Sequence, residues 1–309
     1  MQYKELGKTG LRVSIIGFGA SPLGNEFGTI TAADCERAVR TAIDDGINFF
    51  DVSPYYGRTV AEARLGQALA GHREKVVLST KCGRYDAFDF SATRVARSID
   101  ESLTRLRTDY VDLLLAHDIE FGGREQIIHE TLPAMRILQK EGKVRSIGVS
   151  GLPLKMLADV AQRADIDVVL SYCHFNLLAR DLDEYLTPVV QARGIGLINA
   201  SPLHMRLLST SGPPPWHPAP DIVRWKGAAA VALMERLGLN PIEVALRFCL
   251  NHPYVSSTLV GMSNANEVKE NIKALDFKLP ADLMDELDHV TAPVHSVTWP
   301  SGRPENNDV

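Results

Sequence analysis

Short apolar runs alternate with longer amphipathic segments along most of this chain, and that alternation is the feature that most restricts its fold. From residue 13 onward, eight runs rich in β-branched residues predict strands: Val13–Phe18, Ile47–Val52, Val76–Thr80, Tyr110–Ala116, Ser146–Val149, Val168–Tyr172, Gly196–Asn199 and Val255–Val260. The segments between these runs have helical periodicity. Strands that alternate with helices are typical of βαβ units and a parallel sheet.

The intervening segments carry the start and stop signals of helices. The predicted helices include Ala32–Asp45, Thr59–Ala70, Ala92–Leu106, Gln126–Glu141, Leu154–Arg163 and Leu182–Arg193. Residues suited to capping stand at their ends, namely Thr31, Ser91, Gly46, Gly142 and Gly194. Eight strands with helices between them in 309 residues predict an α/β fold of the (β/α)₈ TIM-barrel type, with one domain over residues 1–309. A doubly wound open sheet is the structural alternative.

Three segments fall outside the alternation. Tyr3–Leu6 and Leu11–Val13 flank two glycines and predict an N-terminal β-hairpin ahead of the barrel. The stretch Ser209–Ile222 is too rich in proline for a helix or a strand, and the tail after Ala292 has no element signature. We therefore expect long substrate loops over the mouth of the barrel.

Composition excludes several classes of partner. Charged residues make up 23% of the chain, both signs are interspersed, and the net charge is −5, so nucleic acid and anionic membranes are disfavoured as partners. No segment reaches the roughly 18 apolar residues of a membrane span, and we expect a soluble cytoplasmic protein. The cysteines are widely spaced and predict neither disulfides nor a metal site: Cys35, Cys82, Cys173 and Cys249.

Polar residues stand at the ends of three successive predicted strands. Asp51 ends the second strand, Tyr56 follows it within DVSPYYG, Lys81 ends the third strand in VVLSTK, and His117 ends the fourth in YVDLLLAH. In a (β/α)₈ barrel the carboxyl ends of the strands carry the chemistry. Taken singly, each of these residues has a packing or capping explanation, but four together at consecutive strand ends are typical of an acid/base site.

The four side chains suggest a division of labour. A free phenol has a pKa near 10, too high for rapid proton transfer at neutral pH. We expect the ammonium of Lys81, paired with Asp51, to lower the pKa of Tyr56 and make it the general acid or base. We expect His117 to hydrogen-bond the substrate oxygen. The glycines of GFGASPLG lack the spacing of a dinucleotide fingerprint, and no phosphate-binding loop or zinc-protease motif occurs.

The segments INFFDVSPYYG, VGMSNANEVKENI and the strands that end in Lys81 and His117 resemble the aldo-keto reductase superfamily over essentially the whole chain. Shorter stretches, among them FGASPLGNEFG, LSYCH, GPPPWHPA and TWPSG, resemble sugar dehydrogenases of that superfamily that act on L-galactose or L-fucose-type aldoses. The resemblance implies catalysis by Tyr56, Lys81, Asp51 and His117. It also implies a nicotinamide cofactor bound by Ser150, Tyr172, Ser201, Pro202, Leu203, Gly261, Ser263, Asn264, Glu267, Glu270 and Asn271.

Two positions depart from the family's pattern. Gly151 stands where many members have an asparagine, and Ala200 stands where an aromatic usually stacks on the nicotinamide. Tyr172 is the candidate replacement for that aromatic. Glu267 occupies the position where NADP-selective members place an arginine, so NAD is expected and NADP is less favoured.

The resemblance and the irregular segments together suggest a sugar substrate. Trp216, Trp299 and Tyr85 are the candidate substrate contacts, since sugar rings pack their C–H faces on aromatic surfaces. The leading interpretation is NAD-dependent oxidation of the C1 hydroxyl of such an aldose to a lactone, by a monomer or weak homodimer. The alternatives are an NADPH-dependent aldehyde reductase and a cofactor-binding regulatory subunit of the kind found with potassium channels.

Overall fold

Eight parallel strands close into a barrel in this protein, whose structure is a computed structural model that describes residues 1–308. An antiparallel hairpin precedes it, formed by β1 (Tyr3–Glu5) and β2 (Arg12–Ser14). The barrel strands are β3 (Ile16–Gly19), β4 (Phe49–Asp51), β5 (Val77–Cys82), β6 (Val111–Ala116), β7 (Val144–Gly151), β8 (Val168–Tyr172), β9 (Gly196–Ala200) and β10 (Val255–Gly261). They run in sequence order, and β10 pairs with β3 to close the ring. The predicted (β/α)₈ fold is confirmed, and an open doubly wound sheet is excluded.

Helices cover the outside of the barrel. They are α1 (Ala32–Asp44), α2 (Val60–Ala68), α3 (Ala92–Leu106), α4 (Arg124–Gln126), α5 (Leu132–Lys140), α6 (Leu154–Arg163), α7 (Leu182–Tyr185), α8 (Thr187–Arg193), α9 (Asp221–Arg236), α10 (Pro241–Leu250), α11 (Ala265–Lys273) and α12 (Ala281–Thr291). Two of the predicted caps form as expected, because Thr31 accepts a hydrogen bond from the backbone of Asp34 and Ser91 accepts one from that of Arg94. Side chains fill the inside of the barrel and helices cover its outside, so all six residues of β6 are buried.

The hairpin closes the amino-terminal end of the barrel. Leu6 is fully buried among side chains of the barrel interior, and the Lys8 backbone donates a hydrogen bond to Gly194. Gly7 adopts φ +55°, and a Cβ there would lie 2.2 Å from the backbone nitrogen of Gly196, so the close approach needs glycine. The opposite end, where the strands finish, is therefore the end that can receive a ligand.

Three predicted elements are interrupted. The run Val13–Phe18 is two strands, because Arg12–Ser14 pairs with Tyr3–Glu5 in the hairpin while Ile16–Gly19 joins the barrel. Both strands contain buried residues, so the apolar pattern runs on through the break. The predicted helix Leu182–Arg193 is split into α7 and α8 near Pro188. Ahead of α5, which has Pro133 in its first turn, residues 127–131 widen into a π turn within the predicted helix Gln126–Glu141.

Two long segments lie at the mouth of the barrel. Residues 201–220 between β9 and α9 form turns without a helix or a strand, as the proline content predicts. The tail after Thr291 returns to the loop that follows β6, where the backbone of Arg303 donates a hydrogen bond to the carbonyl of Glu120 over 3.0 Å. Trp299 in this tail packs into a cluster that includes residues of α9 and α12.

Candidate active site

The four predicted catalytic side chains meet at the carboxyl ends of β4, β5 and β6. Lys81 at the end of β5 forms an ion pair with Asp51 at the end of β4, and its Nζ also donates to the backbone carbonyl of Val52 over 3.0 Å. The same Nζ lies 3.4 Å from the hydroxyl oxygen of Tyr56, in the loop after β4. The His117 ring stands edge-on to that of Tyr56, with 5.7 Å between ring centroids. The structure thus brings together residues that are up to 66 positions apart in sequence, from Asp51 to His117.

Asp51 is held in place from a second side. The hydroxyl of Ser79, one strand along, donates to its Oδ1 over 2.8 Å. Asp51 is 4% exposed and Lys81 is 2% exposed, so water reaches neither charge freely. Burial alone would lower the pKa of Lys81, but the neighbouring Asp51 carboxylate and the Tyr56 hydroxyl raise it above its ordinary value. Lys81 therefore remains an ammonium that faces Tyr56.

The pKa of Tyr56 departs from the sequence expectation. Burial raises it, the ammonium of Lys81 lowers it, and the carboxylates of Asp51 and Asp118 raise it again, so the net pKa lies above the ordinary value of 10. Lys81 lowers this pKa, as expected. The expected net decrease is wrong, because burial raises the pKa by more than Lys81 lowers it. Desolvation of the partly buried side chain is the largest of these effects, and it outweighs the attraction of the Lys81 ammonium for the phenolate.

His117 is neutral in this environment. Burial and the nearby cations of Lys81 and Arg84 hold its pKa well below 6.5. Its Nδ1 lies 3.0 Å from the hydroxyl of Ser53, and that hydroxyl already accepts a hydrogen bond from the backbone of Tyr55. The Ser53 proton is therefore free to point at Nδ1, which leaves the imidazole proton on Nε2, on the side of Asp118.

The predicted cofactor residues lie along the other half of the ring. Ser150 is near the end of β7, Tyr172 ends β8, the segment from Ser201 to Leu203 follows β9, and Gly261 ends β10. The remaining five lie at the start of α11 or within it: Ser263, Asn264, Glu267, Glu270 and Asn271. Consecutive strand ends from β7 to β10 thus form one continuous row, beside the acid/base group on β4 to β6.

The start of α11 is tightly organised. Asn264 is its N-cap and accepts hydrogen bonds from the backbone of Asn266 and Glu267. The Glu267 carboxylate turns back and accepts from the backbone and the hydroxyl of Ser263, at 2.7 and 2.9 Å. Glu267 is therefore a structured part of the turn rather than a freely solvated side chain, and Glu270 is exposed while Asn271 is buried.

The two departures from the family pattern have structural counterparts. Tyr172 is the direct neighbour of Ala200 in the β8–β9 register, so its ring is next to the place where an aromatic is missing. A Cβ at Gly151 would lie 2.6 Å from Oε2 of Glu120, so the Glu120 carboxyl already occupies that space. That oxygen is buried and has no hydrogen-bond partner among residues 1–308. Hydroxyl, amide and aromatic groups in this row suit a dinucleotide.

The candidate substrate residues differ in exposure. Trp216 is 55% exposed, and its ring centroid lies 6.0 Å from that of Phe27 in the loop after β3. Trp299 is 8% exposed and packs edge-on against the buried rings of His204 and His217. Trp299 therefore fixes the tail to the loop after β9, and Trp216 presents the free aromatic surface.

Tyr85 has another structural task. Its hydroxyl accepts a hydrogen bond from the backbone of Gly83 over 3.0 Å, and the guanidinium of Arg94 in α3 lies 3.7 Å from the centre of its ring. Burial raises the pKa of this hydroxyl to about 12. These contacts hold the loop after β5, and a substrate contact by Tyr85 stays a prediction that no contact in the structure supports.

Sequence reasoning missed five polar residues of the site: Ser53, Ser79, Arg84, Asp118 and Glu120. Each lies within three positions of a residue that was singled out, and all but Arg84 are buried. Their proximity in sequence was an available signal. Their pairing across strands was not, because only the barrel register places Ser79 beside Asp51 and Arg84 beside Asp118.

Two further findings concern the described part of the chain. No helix among residues 1–308 is both long and apolar enough to span a bilayer. Within that same range, no cluster of three or more His, Cys, Asp and Glu side chains is arranged to hold a metal ion.

Comparison with known proteins identifies the family. The model of the aldo/keto reductase family matches residues 15–292. L-galactose dehydrogenase of Arabidopsis thaliana is 46% identical over 317 aligned positions, which cover 99% of each chain. D-threo-aldose 1-dehydrogenase of a Pseudomonas species is 27% identical, over 90% of this chain and 94% of the other.

A solved structure agrees with these sequence matches. An aldo-keto reductase from Bacillus halodurans, in its holo form, superposes with a TM-score of 0.80 at 26% identity, covering 94% of this chain and 96% of that one. The resemblance predicted from the strand-end motifs is thereby confirmed. The chain belongs to the aldo/keto reductase family of oxidoreductases, whose members use nicotinamide cofactors.

Proposed function

We propose that this enzyme oxidises the C1 hydroxyl of L-galactose, or of an aldose with the same configuration at C2–C4 such as L-fucose, to the lactone with NAD as hydride acceptor. The observation that carries the proposal is the group that the buried residues Lys81, Asp51 and His117 form with the partly buried Tyr56, with 3.4 Å between the Lys81 ammonium and the Tyr56 hydroxyl. The full-length identity of 46% to L-galactose dehydrogenase supports the choice of substrate.

In this proposal the protein moves one proton and holds one oxygen. The substrate's C1 hydroxyl lies between Tyr56 and His117, and its proton passes to the phenolate form of Tyr56 as the C1–H bond breaks. A bound nicotinamide supplies the acceptor for the hydride. His117, neutral and protonated on Nε2, donates a hydrogen bond to the reacting oxygen and fixes its direction.

Lys81 sets the strength of the base. Its ammonium stabilises the phenolate that takes the proton, and Asp51 keeps the ammonium charged inside a poorly solvated pocket. Because burial holds the pKa of Tyr56 above its ordinary value of 10, the phenolate fraction and the rate of oxidation both increase as the pH rises. Reduction of the lactone or of an aldehyde uses the same groups in the opposite protonation state.

The proposed preference for NAD rests on Glu267. Its carboxylate is fixed at the start of α11 by the backbone and the hydroxyl of Ser263. This negative charge would repel a phosphate on the 2′ position of the cofactor's adenosine, whereas an unmodified ribose hydroxyl could donate a hydrogen bond to the carboxylate. The residues proposed to hold the rest of the cofactor are those of the row from Ser150 to Asn271, with Tyr172 offering the stacking surface beside Ala200.

The sugar would bind at the mouth, under the loop after β9 and the C-terminal tail. Trp216 offers an exposed ring for an apolar sugar face, and Trp299 supports the loop after β9 through its packing on His204 and His217. The four cysteines are buried and unpaired, as is usual in a reducing compartment, and this supports a cytoplasmic location. We also propose that the enzyme is a monomer or weak homodimer.

A substrate panel tests the proposal. The purified enzyme is mixed with NAD⁺ or NADP⁺ and each of a set of aldoses, and reduced cofactor is followed by its absorbance. We expect turnover of L-galactose and L-fucose with NAD⁺, and much slower turnover of their C4 epimers. No turnover of any aldose, together with rapid NADPH-driven reduction of simple aromatic aldehydes, would instead establish the reductase alternative.

A further inference from the structure

A second charged pair stands directly beside the catalytic group. Asp118 follows His117 at the end of β6, and it forms an ion pair with Arg84, three residues after Lys81. The guanidinium of Arg84 also covers the ring of Tyr55, with 3.6 Å between its carbon atom and the ring centroid. The pair thus joins the loops that follow β4, β5 and β6, the three strands at whose carboxyl ends the acid/base residues lie.

Forming this ion pair costs desolvation free energy, which argues against a purely structural role. The Asp118 side chain is 4% exposed, and a buried ion pair is on average a weak contributor to stability because desolvation offsets attraction. The backbone of Asp118 is in the left-handed region, at φ +51°, where residues other than glycine are uncommon. Backbone strain of this kind collects at functional sites.

The pair also lies within reach of the reacting atoms. Oδ2 of Asp118 is 3.8 Å from Nε2 of His117, the nitrogen that faces the substrate oxygen in the proposed reaction. Asp118 is one of the charges that raise the pKa of Tyr56. Oxygens on adjacent carbons of a sugar are roughly one hydrogen-bond length apart, about 3 Å. An oxygen held by Tyr56 and His117 therefore places the next oxygen of the sugar near Asp118.

Arg84 completes the recognition of a hydroxyl group. Its side chain is 26% exposed, and its buried Nε has no hydrogen-bond partner in the described residues 1–308. A sugar hydroxyl both donates and accepts. It can donate to the Asp118 carboxylate while it accepts from the Arg84 guanidinium, and hydrogen bonds to charged partners are the stronger kind.

We propose that Asp118 and Arg84 form a subsite for the hydroxyl on C2, next to the reacting carbon, and so select 2-hydroxylated substrates over their deoxy counterparts. The inference rests on the proposed function for the choice of an aldose as substrate. It adds to that proposal two residues which the acid/base mechanism does not use, and it assigns them one atom of the substrate.

A cycle of two substrates and several variants tests the subsite. The measured quantity is the ratio of kcat/KM for L-galactose to kcat/KM for 2-deoxy-L-galactose, with NAD⁺ at saturation. We expect the wild type to favour L-galactose on the order of 10- to 100-fold. In Asp118→Asn and in Arg84→Met the ratio should fall toward 1, because each variant lacks one of the two charged groups that hydrogen-bond the C2 hydroxyl.

Using a ratio within one protein separates recognition from general damage. A variant that merely folds poorly or misplaces His117 loses activity on both sugars and keeps the ratio. The matched control is Asp112→Asn, which breaks the ion pairs of Asp112 with Arg73 and Arg145. The Asp112 carboxylate is as buried as that of Asp118 but lies near the start of β6. The control must keep the wild-type ratio. If Asp118→Asn is insoluble, Arg84→Met alone decides by the same ratio.

The outcomes separate the two proposals. No turnover of either sugar by the wild type overturns the proposed function. Turnover of L-galactose with a wild-type ratio near 1, or with a ratio that Asp118→Asn and Arg84→Met leave unchanged, overturns the subsite and leaves the proposed function standing. A ratio that collapses in these two variants and not in Asp112→Asn establishes the subsite.

Discussion

Replacing Lys81 by methionine tests the electrostatic part of the mechanism, and the structure sets the size of the effect. The ammonium lies 3.4 Å from the Tyr56 hydroxyl. At that distance, with an effective dielectric constant of roughly 20, its attraction for a phenolate is worth about 5 kcal/mol. Loss of the charge lowers the phenolate fraction at neutral pH on the order of 10³-fold, since about 1.4 kcal/mol corresponds to a factor of ten.

The rate should fall by less than the phenolate fraction does. A phenolate of higher pKa is a stronger base, and Brønsted behaviour returns part of the loss, so we expect kcat/KM for aldose oxidation at neutral pH to drop on the order of 100-fold. The rising limb of the pH profile should move to higher pH, because the pKa of Tyr56, already raised by burial, loses the cation that lowers it. The assay is the pH dependence of kcat/KM, measured by cofactor absorbance.

A double variant controls for the damage that the single substitution causes. Lys81→Met leaves the Asp51 carboxylate buried without its cation, which costs roughly 3–5 kcal/mol of stability. In Asp51→Asn/Lys81→Met both charges are removed, so stability should recover while the pH profile stays displaced. A Lys81→Met enzyme that folds and keeps the wild-type pH profile would refute the role given to Lys81.

Three further predictions follow from single residues of the site. Glu267→Arg should shift the ratio of kcat/KM for NAD⁺ to that for NADP⁺ toward NADP⁺ on the order of 10-fold or more, since it replaces a repelling carboxylate by a cation; equal use of both cofactors by the wild type would contradict the argument. Trp299→Ala should raise the KM for the sugar much more than the Kd for NAD⁺, measured by titration, and an equal loss of both would mean that Trp299 only supports the fold. The pKa of Glu120 is raised to about 8 by burial and by Asp118, so the folded protein binds this proton more tightly than the unfolded chain does. The contribution of Glu120 to stability should therefore fall as the pH rises from about 4.5 to about 8, so the melting temperature of Glu120→Gln should rise relative to that of the wild type over this range; a difference between the two that does not change with pH would show that Glu120 does not titrate there.

The barrel could be predicted because its pattern is repeated. Each barrel strand is buried on both faces and each helix on one face, so the hydrophobic pattern changes between strand and helix eight times along the chain. An error at a single boundary therefore does not alter the predicted topology. The breaks were not predictable from periodicity. The run Val13–Phe18 stays apolar through the point where the hairpin ends and the barrel begins, and only the pairing of each half with a different partner strand separates them.

Those features of the site that depend on a residue type at a strand end could be predicted. Those that depend on a contact between side chains in the folded protein could not. Tyr56, Lys81, Asp51 and His117 could be placed together because parallel strands finish at one edge. The net direction of the Tyr56 pKa shift could not be predicted, since it depends on how strongly the folded surroundings desolvate the hydroxyl. The same holds for Trp299, which the sequence assigned to the substrate and the structure packs against two histidines.

Transfer of a labelled hydrogen tests the central claim most directly. L-galactose carrying deuterium at C1 is incubated with NAD⁺ and the enzyme, and the masses of the reduced cofactor and of the sugar product are measured. The account predicts one deuterium in the reduced cofactor, a lactone that has lost it, and neither product with Tyr56→Phe, although that variant still binds NAD⁺. Reduced cofactor without deuterium, or a Tyr56→Phe enzyme that transfers it at the wild-type rate, would contradict the account.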